Sequence, residues 1–102
     1  MPHLKLEYSA NIKEKVDLKE LFSSVHRVLV DVVNADLFRC QSRVIAYDNF
    51  YLGEGLPQEC FIYLEIHLLE GRSELQLQEA GNEILKLLEN YFACSLEEFN
   101  VQ

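Results

Sequence analysis

The chain has 102 residues, 49% of them apolar, with five tyrosines and six phenylalanines, a composition that excludes disorder and gives one domain with a modest buried fraction that oligomerisation would help. Nine Lys+Arg against seventeen Asp+Glu leave a net charge of −8. No basic stripe exists to neutralise phosphates, and the charge disfavours an anionic membrane surface, so neither nucleic acid nor membrane is an expected partner.

Met1-Pro2 opens the chain, and methionine before a residue as small as proline is normally removed. Removal would leave the secondary amine of Pro2 as a base carried on the backbone. The stretch after it, Pro2 to Ser9, alternates Leu4, Leu6 and Tyr8 with His3, Lys5 and Glu7, the pattern of a half-buried strand. Asp17-Leu18-Lys19-Glu20 reads as a capping box, Asp17 capping the helix start and Glu20 reaching back. Leu18, Leu21, Phe22, Val25, Val28, Leu29 and Val32 then follow helical spacing, and the helix should fade near Asn34. A second strand is predicted around Ser42 to Asp48, with Val44, Ile45, Ala46 and Tyr47 apolar on both faces. Gly53-Glu54-Gly55-Leu56-Pro57 is the clearest loop signal.

The second half repeats the scheme. Cys60 to Leu69 is the strongest strand, with Phe61, Tyr63 and Leu69 on one face and Ile62, Leu64, Ile66 and Leu68 on the other. Ser73-Glu74-Leu75-Gln76 is another capping box, opening a helix with Leu77, Ala80, Ile84, Leu88 and Tyr91 inward. Gly81 costs that helix about 1 kcal/mol relative to Ala, which points to close packing against the sheet. Leu96, Phe99 and Val101 fit one short closing strand. Strand-helix-strand, twice, predicts an α+β fold of two βαβ-like units, about 1–57 and 58–102, sharing one mixed sheet with both helices on one face.

Several residue types are set aside. Cys40, Cys60 and Cys94 lack a paired spacing and read as buried or incidental thiols of a reducing compartment. His3, His26 and His67 have no metal spacing; His26 falls on the polar side of its helix and His67 on a strand face or interface. Ser9, Ser42 and Ser73 sit in no nucleophile elbow, and Ser73 serves as a cap. Glu65 interrupts an apolar strand, at a subunit interface or on an exposed sheet face. Tyr47, Phe50 and Tyr51 fit core or interface before a substrate platform, with a loop cluster near a pocket as the alternative. No apolar run reaches membrane-spanning length and no signal peptide is legible, so the expected location is the cytoplasm.

Arg72 stands out because a helix start favours anions, and a cation there costs about 0.3–1 kcal/mol. Two readings are open. Arg72 points into solvent or pairs with Glu70 or Glu74; alternatively its guanidinium and the free N–H groups of the helix start form a site for a carboxylate. If the strands that open the two halves lie side by side, Pro2 and an arginine would flank one pocket.

Met1-Pro2-His3, Glu7-x-Ser9-x-Asn11-Ile12, Ser42-Arg43-Val44, Gly71-Arg72-Ser73 and Gln78-x-Ala80-Gly81 together resemble the 5-carboxymethyl-2-hydroxymuconate isomerases of the tautomerase superfamily. The resemblance runs from Met1 to about Phe92. Ile66-His67-Leu68-Leu69-Glu70-Gly71-Arg72-Ser73 is also similar to the opening strand and turn of the short 4-oxalocrotonate tautomerases. The resemblance implies a tautomerase-like homotrimer of aromatic catabolism that converts an enol diacid to its conjugated ketone without metal or cofactor. It implies Pro2 as acid–base catalyst and arginines, Arg72 and Arg43, as carboxylate anchors. An α-amino group titrates at about 7.7–8.0 and proline's amine higher; burial and nearby arginines would lower it toward neutrality, where a proton shuttle works best.

One position departs from the family pattern: Gln41 stands where an arginine is expected, two residues before Arg43. A neutral amide supplies about 0.5–1.5 kcal/mol where a charged partner supplies about 1.5–3. If the second strand reaches back that far, Arg39, Gln41 and Arg43 share one face, and either arginine would compensate. The chain also stops soon after the second helix, where the family continues into further strand, which predicts altered subunit contacts. The rival to an enzyme is a noncatalytic oligomeric binding protein of the same fold, favoured by Gln41 and disfavoured by Pro2 and Arg72.

Overall fold

A computed structural model gives the architecture and describes residues 2–12, 17–57, 59–92 and 100–101. The strand β1 (His3–Ser9) is followed by the helix α1 (Leu18–Val33), a 3₁₀ turn at Leu37–Arg39 and β2 (Gln41–Tyr47). Then come β3 (Glu59–Cys60), β4 (Ile62–His67), α2 (Glu74–Tyr91) and β5 (Asn100–Val101). Met1, Cys94, Leu96 and Phe99 lie outside the described residues.

β1 is the central strand of a mixed sheet ordered β2-β1-β4. β2 runs parallel to it, which a helix-length crossover allows, and β4 antiparallel. The long strand expected from Cys60 to Leu69 is interrupted at Phe61. Upstream, β3 pairs with β5 in a two-stranded parallel ladder, so the closing strand of the second half joins Glu59–Cys60 instead of Ile62–His67. Buried Ser9 holds the junction: its N–H donates to the Phe61 carbonyl (3.1 Å), and its Oγ accepts from the Phe61 N–H (3.0 Å).

The alternation in β1 divides the sheet into two faces. Leu4 and Leu6 are fully buried beneath the helices, with Leu64, Ile66 and Val44 packed alongside. From α1, Leu21, Val25, Leu29 and Val33 complete this core, and from α2, Ala80 and Ile84. In the helix α2, Leu77 is 45% exposed, contrary to the inward position that spacing gave it, and Leu87 packs against the core along with Leu88 and Tyr91.

Helix ends follow the capping signals in most particulars. The Asp17 side chain accepts from the Glu20 N–H (3.1 Å), but Glu20 does not close the box; its carboxylate bonds the Tyr91 hydroxyl and, after burial, raises that hydroxyl's pKa. Ser73 and Gln76 form both halves of the second box. α1 ends at Asn34, whose φ of 58° is left-handed, and the Ala35 N–H returns to the Leu29 carbonyl. In the loop before β3, a Cβ on Gly55 (φ 77°) would lie 2.5 Å from the Tyr51 ring, so glycine is required there.

Gly81 departs from expectation. It is exposed, and a Cβ built there meets nothing within 4 Å, so no close approach to the sheet calls for it. Gly81→Ala should therefore raise stability by about 0.5–1 kcal/mol. A denaturation midpoint that falls in the variant would show that Gly81 is needed for packing.

Candidate active site

Register decides which candidate residues can meet. In-register neighbours point to the same side of a sheet. His3 lies between Gln41 and His67, Lys5 between Arg43 and Glu65, and Glu7 between Ile45 and Tyr63. All of these stand on the face turned away from the helices. Pro2 shares its parity with Leu4 and Leu6 and is buried on the helix side. Its carbonyl accepts the Gln41 N–H (3.0 Å), locking the start of β1 to β2.

Arg72 is held at the same end of the molecule as Pro2. The turn after β4, whose last residue pairs with His3, carries Arg72 back across the end of α1. Its Nε donates to the Val33 carbonyl (3.2 Å) and its Nη1 to the Leu69 carbonyl (3.0 Å). Gln76 Nε2 donates to the Val32 carbonyl beside it (3.3 Å). The arginine that precedes the start of α2 thus serves the end of α1, where unpaired carbonyls and the negative end of the helix dipole favour a cation. Neither solvent nor Glu70 and Glu74 is its chief partner. The two bonds fix the guanidinium plane and leave N–H groups for an anion.

Gln41 and Arg43 do share a face: Arg43 Nη2 donates to Gln41 Oε1 (3.3 Å) and lies 3.5 Å from His3 Nδ1. Arg39 does not join them. β2 begins at Gln41, and Arg39 closes the preceding 3₁₀ turn, paired outward with Asp36 at 3.6 Å. Asp36 caps that turn through the Phe38 N–H, so the extended backbone begins two residues later than a shared face would need. Pro2 and Arg43 therefore lie on opposite faces of one chain's sheet.

The open face carries more polar chemistry than its motifs announce. His3, Lys5, Arg43, Glu65 and His67 line a hollow of about 350 Å³. Glu65 accepts from His67 Nε2 and from the Tyr63 hydroxyl (2.7 Å), and these bonds, the histidine's first, lower its carboxyl pKa. On the neighbouring strand Tyr47 donates to Glu7, which raises the Tyr47 pKa. The signal for this cluster was the period-two alternation of β1 and β4, which fixes the face without fixing the partners.

A sequence profile of the 5-carboxymethyl-2-hydroxymuconate isomerase family matches residues 2–102. The chain belongs to that family. It is 31% identical over 97 residues, 95% of its own length and 77% of the relative's, to the 5-carboxymethyl-2-hydroxymuconate Delta-isomerase of Escherichia coli. Family and relative make it an isomerase by descent. The crystal structure of a 5-carboxymethyl-2-hydroxymuconate isomerase from Deinococcus radiodurans R1 superposes with a TM-score of 0.89 at 24% identity, covering 99% of this chain and 76% of that one. A fused 4-OT described as a symmetric trimer has the same fold at 14% identity, with a TM-score of 0.67 over 98% of this chain and 83% of that one. Tautomerase-like α+β architecture is thereby established. Among the described residues no helix is long and apolar enough to cross a membrane.

His26 corrects the sequence reading. Far from the polar side of α1, it is half-buried where the helix flank meets β2, with Nε2 2.6 Å from Ser42 Oγ. Burial lowers its pKa below the ordinary 6.5. Below that value the unfolded chain binds a proton at His26 that the folded chain resists, so this residue makes stability rise with pH and fall on acidification. The His26 ring should titrate below 6.5 by NMR, and His26→Asn should flatten the stability–pH slope across about pH 5–7. A ring midpoint at or above 6.5 would contradict this.

Proposed function

We propose that this isomerase is a cofactor-free tautomerase that converts a small hydroxymuconate-like enol carboxylate to its conjugated ketone in the cytoplasm. Removal of Met1 frees the Pro2 amine, which takes the enol proton and returns it at carbon. The observation that carries the reading is the placement of Pro2, buried at the start of the central strand at the end where Arg72 is held rigid. Burial of the strand start would disfavour the ammonium form and bring a basic amine toward neutrality. Arg72 holds a carboxylate through its remaining N–H groups, and the enolate charge that develops during transfer is stabilised by the same cation.

The second anchor comes from another subunit. Arg43 and Gln41 lie on the sheet face opposite the Pro2 ring, which favours an anchor supplied by a neighbouring subunit. A homotrimer, the state ascribed to fused 4-OT relatives of this fold, would set that face of one subunit beside its neighbours. The exposed Ile45 and Tyr63 on it, 46% and 48% accessible, support such burial. Sedimentation at micromolar concentration should give a trimer; a monomer would remove the route for Arg43 to reach Pro2.

Protein freed of Met1 should ketonise phenylenolpyruvate or 2-hydroxymuconate, and Pro2→Ala should reduce kcat/KM roughly 10²–10⁴-fold, the range of a positioned acid–base group. Equal rates for protein that retains Met1 would sink the proposal, because an amide nitrogen is not a base.

Anchoring is tested with a matched mono- and diacid pair. Arg72→Ala should lower kcat/KM by the equivalent of about 1.5–3 kcal/mol. A urea midpoint measured alongside separates that loss from the uncapping of α1. Gln41→Arg should improve the diacid selectively. Equal improvement of both substrates would mean that Gln41 shapes the pocket generally.

A further inference from the structure

At the far end of the sheet from Pro2, a cleft of about 440 Å³ opens between the end of β1, the end of β2 and the loop before β3. Its polar lining converges on acceptors. Glu59 is only 9% exposed, and its Oε2 is buried without a hydrogen-bond partner. Asn11 Oδ1 is likewise buried and unpartnered. Its orientation is fixed, because Asn11 Nδ2 donates to the Glu59 carbonyl (2.8 Å) and a flipped amide would set two oxygens together. Asp48 adds a carboxylate at the rim. The Tyr51 hydroxyl donates away, to the Glu54 carbonyl. Phe50, Tyr51 and Leu56 supply apolar and aromatic wall.

Buried acceptors without donors are costly, and an unpaired carboxylate oxygen most of all. A donor-rich cation with an apolar shaft answers every feature of this cleft: it pairs with Glu59 and Asn11, is drawn by Asp48, and lies against aromatic faces. A hydrated metal answers fewer. Among the described residues no group of three or more His, Cys, Asp or Glu side chains could hold a metal ion.

We propose that the cleft bounded by Asn11, Asp48 and Glu59 is a binding site for an alkylguanidinium or alkylammonium group, supplied by a free small cation or by an Arg or Lys side chain of a second copy of the chain. The site is independent of Pro2 chemistry. n-Butylguanidinium, with n-butylurea as its neutral counterpart, is the probe for NMR titration of the backbone amides of Asn11, Gly53 and Glu59. Gly53 reports well because a Cβ there would lie 3.5 Å from Glu59 Oε2.

For a free cation, the guanidinium should shift these amides saturably and the urea should not. Glu59→Gln should weaken binding roughly 10–100-fold, the scale of a hydrogen bond to a charged group, while the oligomeric state stays unchanged. For a neighbouring side chain, the probe should compete with assembly, and Glu59→Gln should lower the sedimentation-derived association constant by a similar factor. Asp48→Asn, at an exposed position, gives a second variant should Glu59→Gln fail to fold; it should weaken whichever of the two is observed. Equal response to the urea overturns the proposal. So does a Glu59→Gln protein that is merely more stable, with neither probe binding nor assembly altered, which would make Glu59 an isolated buried carboxylate.

Discussion

The central position of β1 is the constraint on which the rest depends. Paired on both edges, the strand can neither twist out of register nor slip, since a one-residue shift would expose Leu4 and Leu6 and bury His3, Lys5 and Glu7. That register assigns Pro2 to the helix side. It also assigns Arg43, through its pairing with Lys5, to the other. Proline suits the first position because no ladder hydrogen bond is asked of its nitrogen, while its carbonyl still accepts from Gln41. A terminal amine placed there is as well positioned as a side chain in the core.

Arg72 converts a local conflict into a long-range tie. At the start of α2 a cation is unfavourable; at the end of α1 it is favourable, and the antiparallel packing of the two helices lets one side chain occupy both places. The bond to Val33 joins the first βαβ half to the second, with Gln76 adding a parallel link to Val32, while the bond to Leu69 steadies the guanidinium from its own turn. If Arg72 also holds the carboxylate of the proposed substrate, it is doubly constrained. Its N–H fork satisfies the carbonyls on one side and presents the rest on the other, which lysine cannot do with a single ammonium.

Much of this was legible in the sequence where local chemistry and hydrophobic period agreed. The alternation of β1, the Asp17 and Ser73 caps and the end of α1 near Asn34 all follow from residue type and spacing. What escaped were effects that depend on tertiary neighbours. The strand break at Phe61 comes from Ser9, 52 residues away in sequence. Arg39 leaves the Gln41 face because Asp36 captures the turn before it. His26 falls on the polar side of an isolated helix, yet the proximity of β2 buries it. Gly81 invited an inference from cost to necessity, and the space around it shows that cost alone does not establish a role. The family motifs located Pro2, Arg43 and Arg72, but only the register revealed that the first and second lie on opposite sides of one sheet.

A protein of net charge −8 that is to bind a carboxylate, as proposed, must place its cations against its own field. The fold does so by polarising the molecule along β1. Near its start stand His3, His67, Arg43 and Arg72; beyond its end stand Asp48, Glu54 and Glu59. Over that distance mobile ions screen much of the far acidic charge, since the Debye length at physiological salt is about 8 Å. The local arginines would then govern what enters at the proline end, while the acidic end would repel the same anions and favour the opposite sign. The acidic composition therefore does not argue against an anionic substrate. Such a substrate would be drawn to the end of the sheet where register and helix capping gather His3, Arg43 and Arg72, and this selectivity of place follows from the topology rather than from the total.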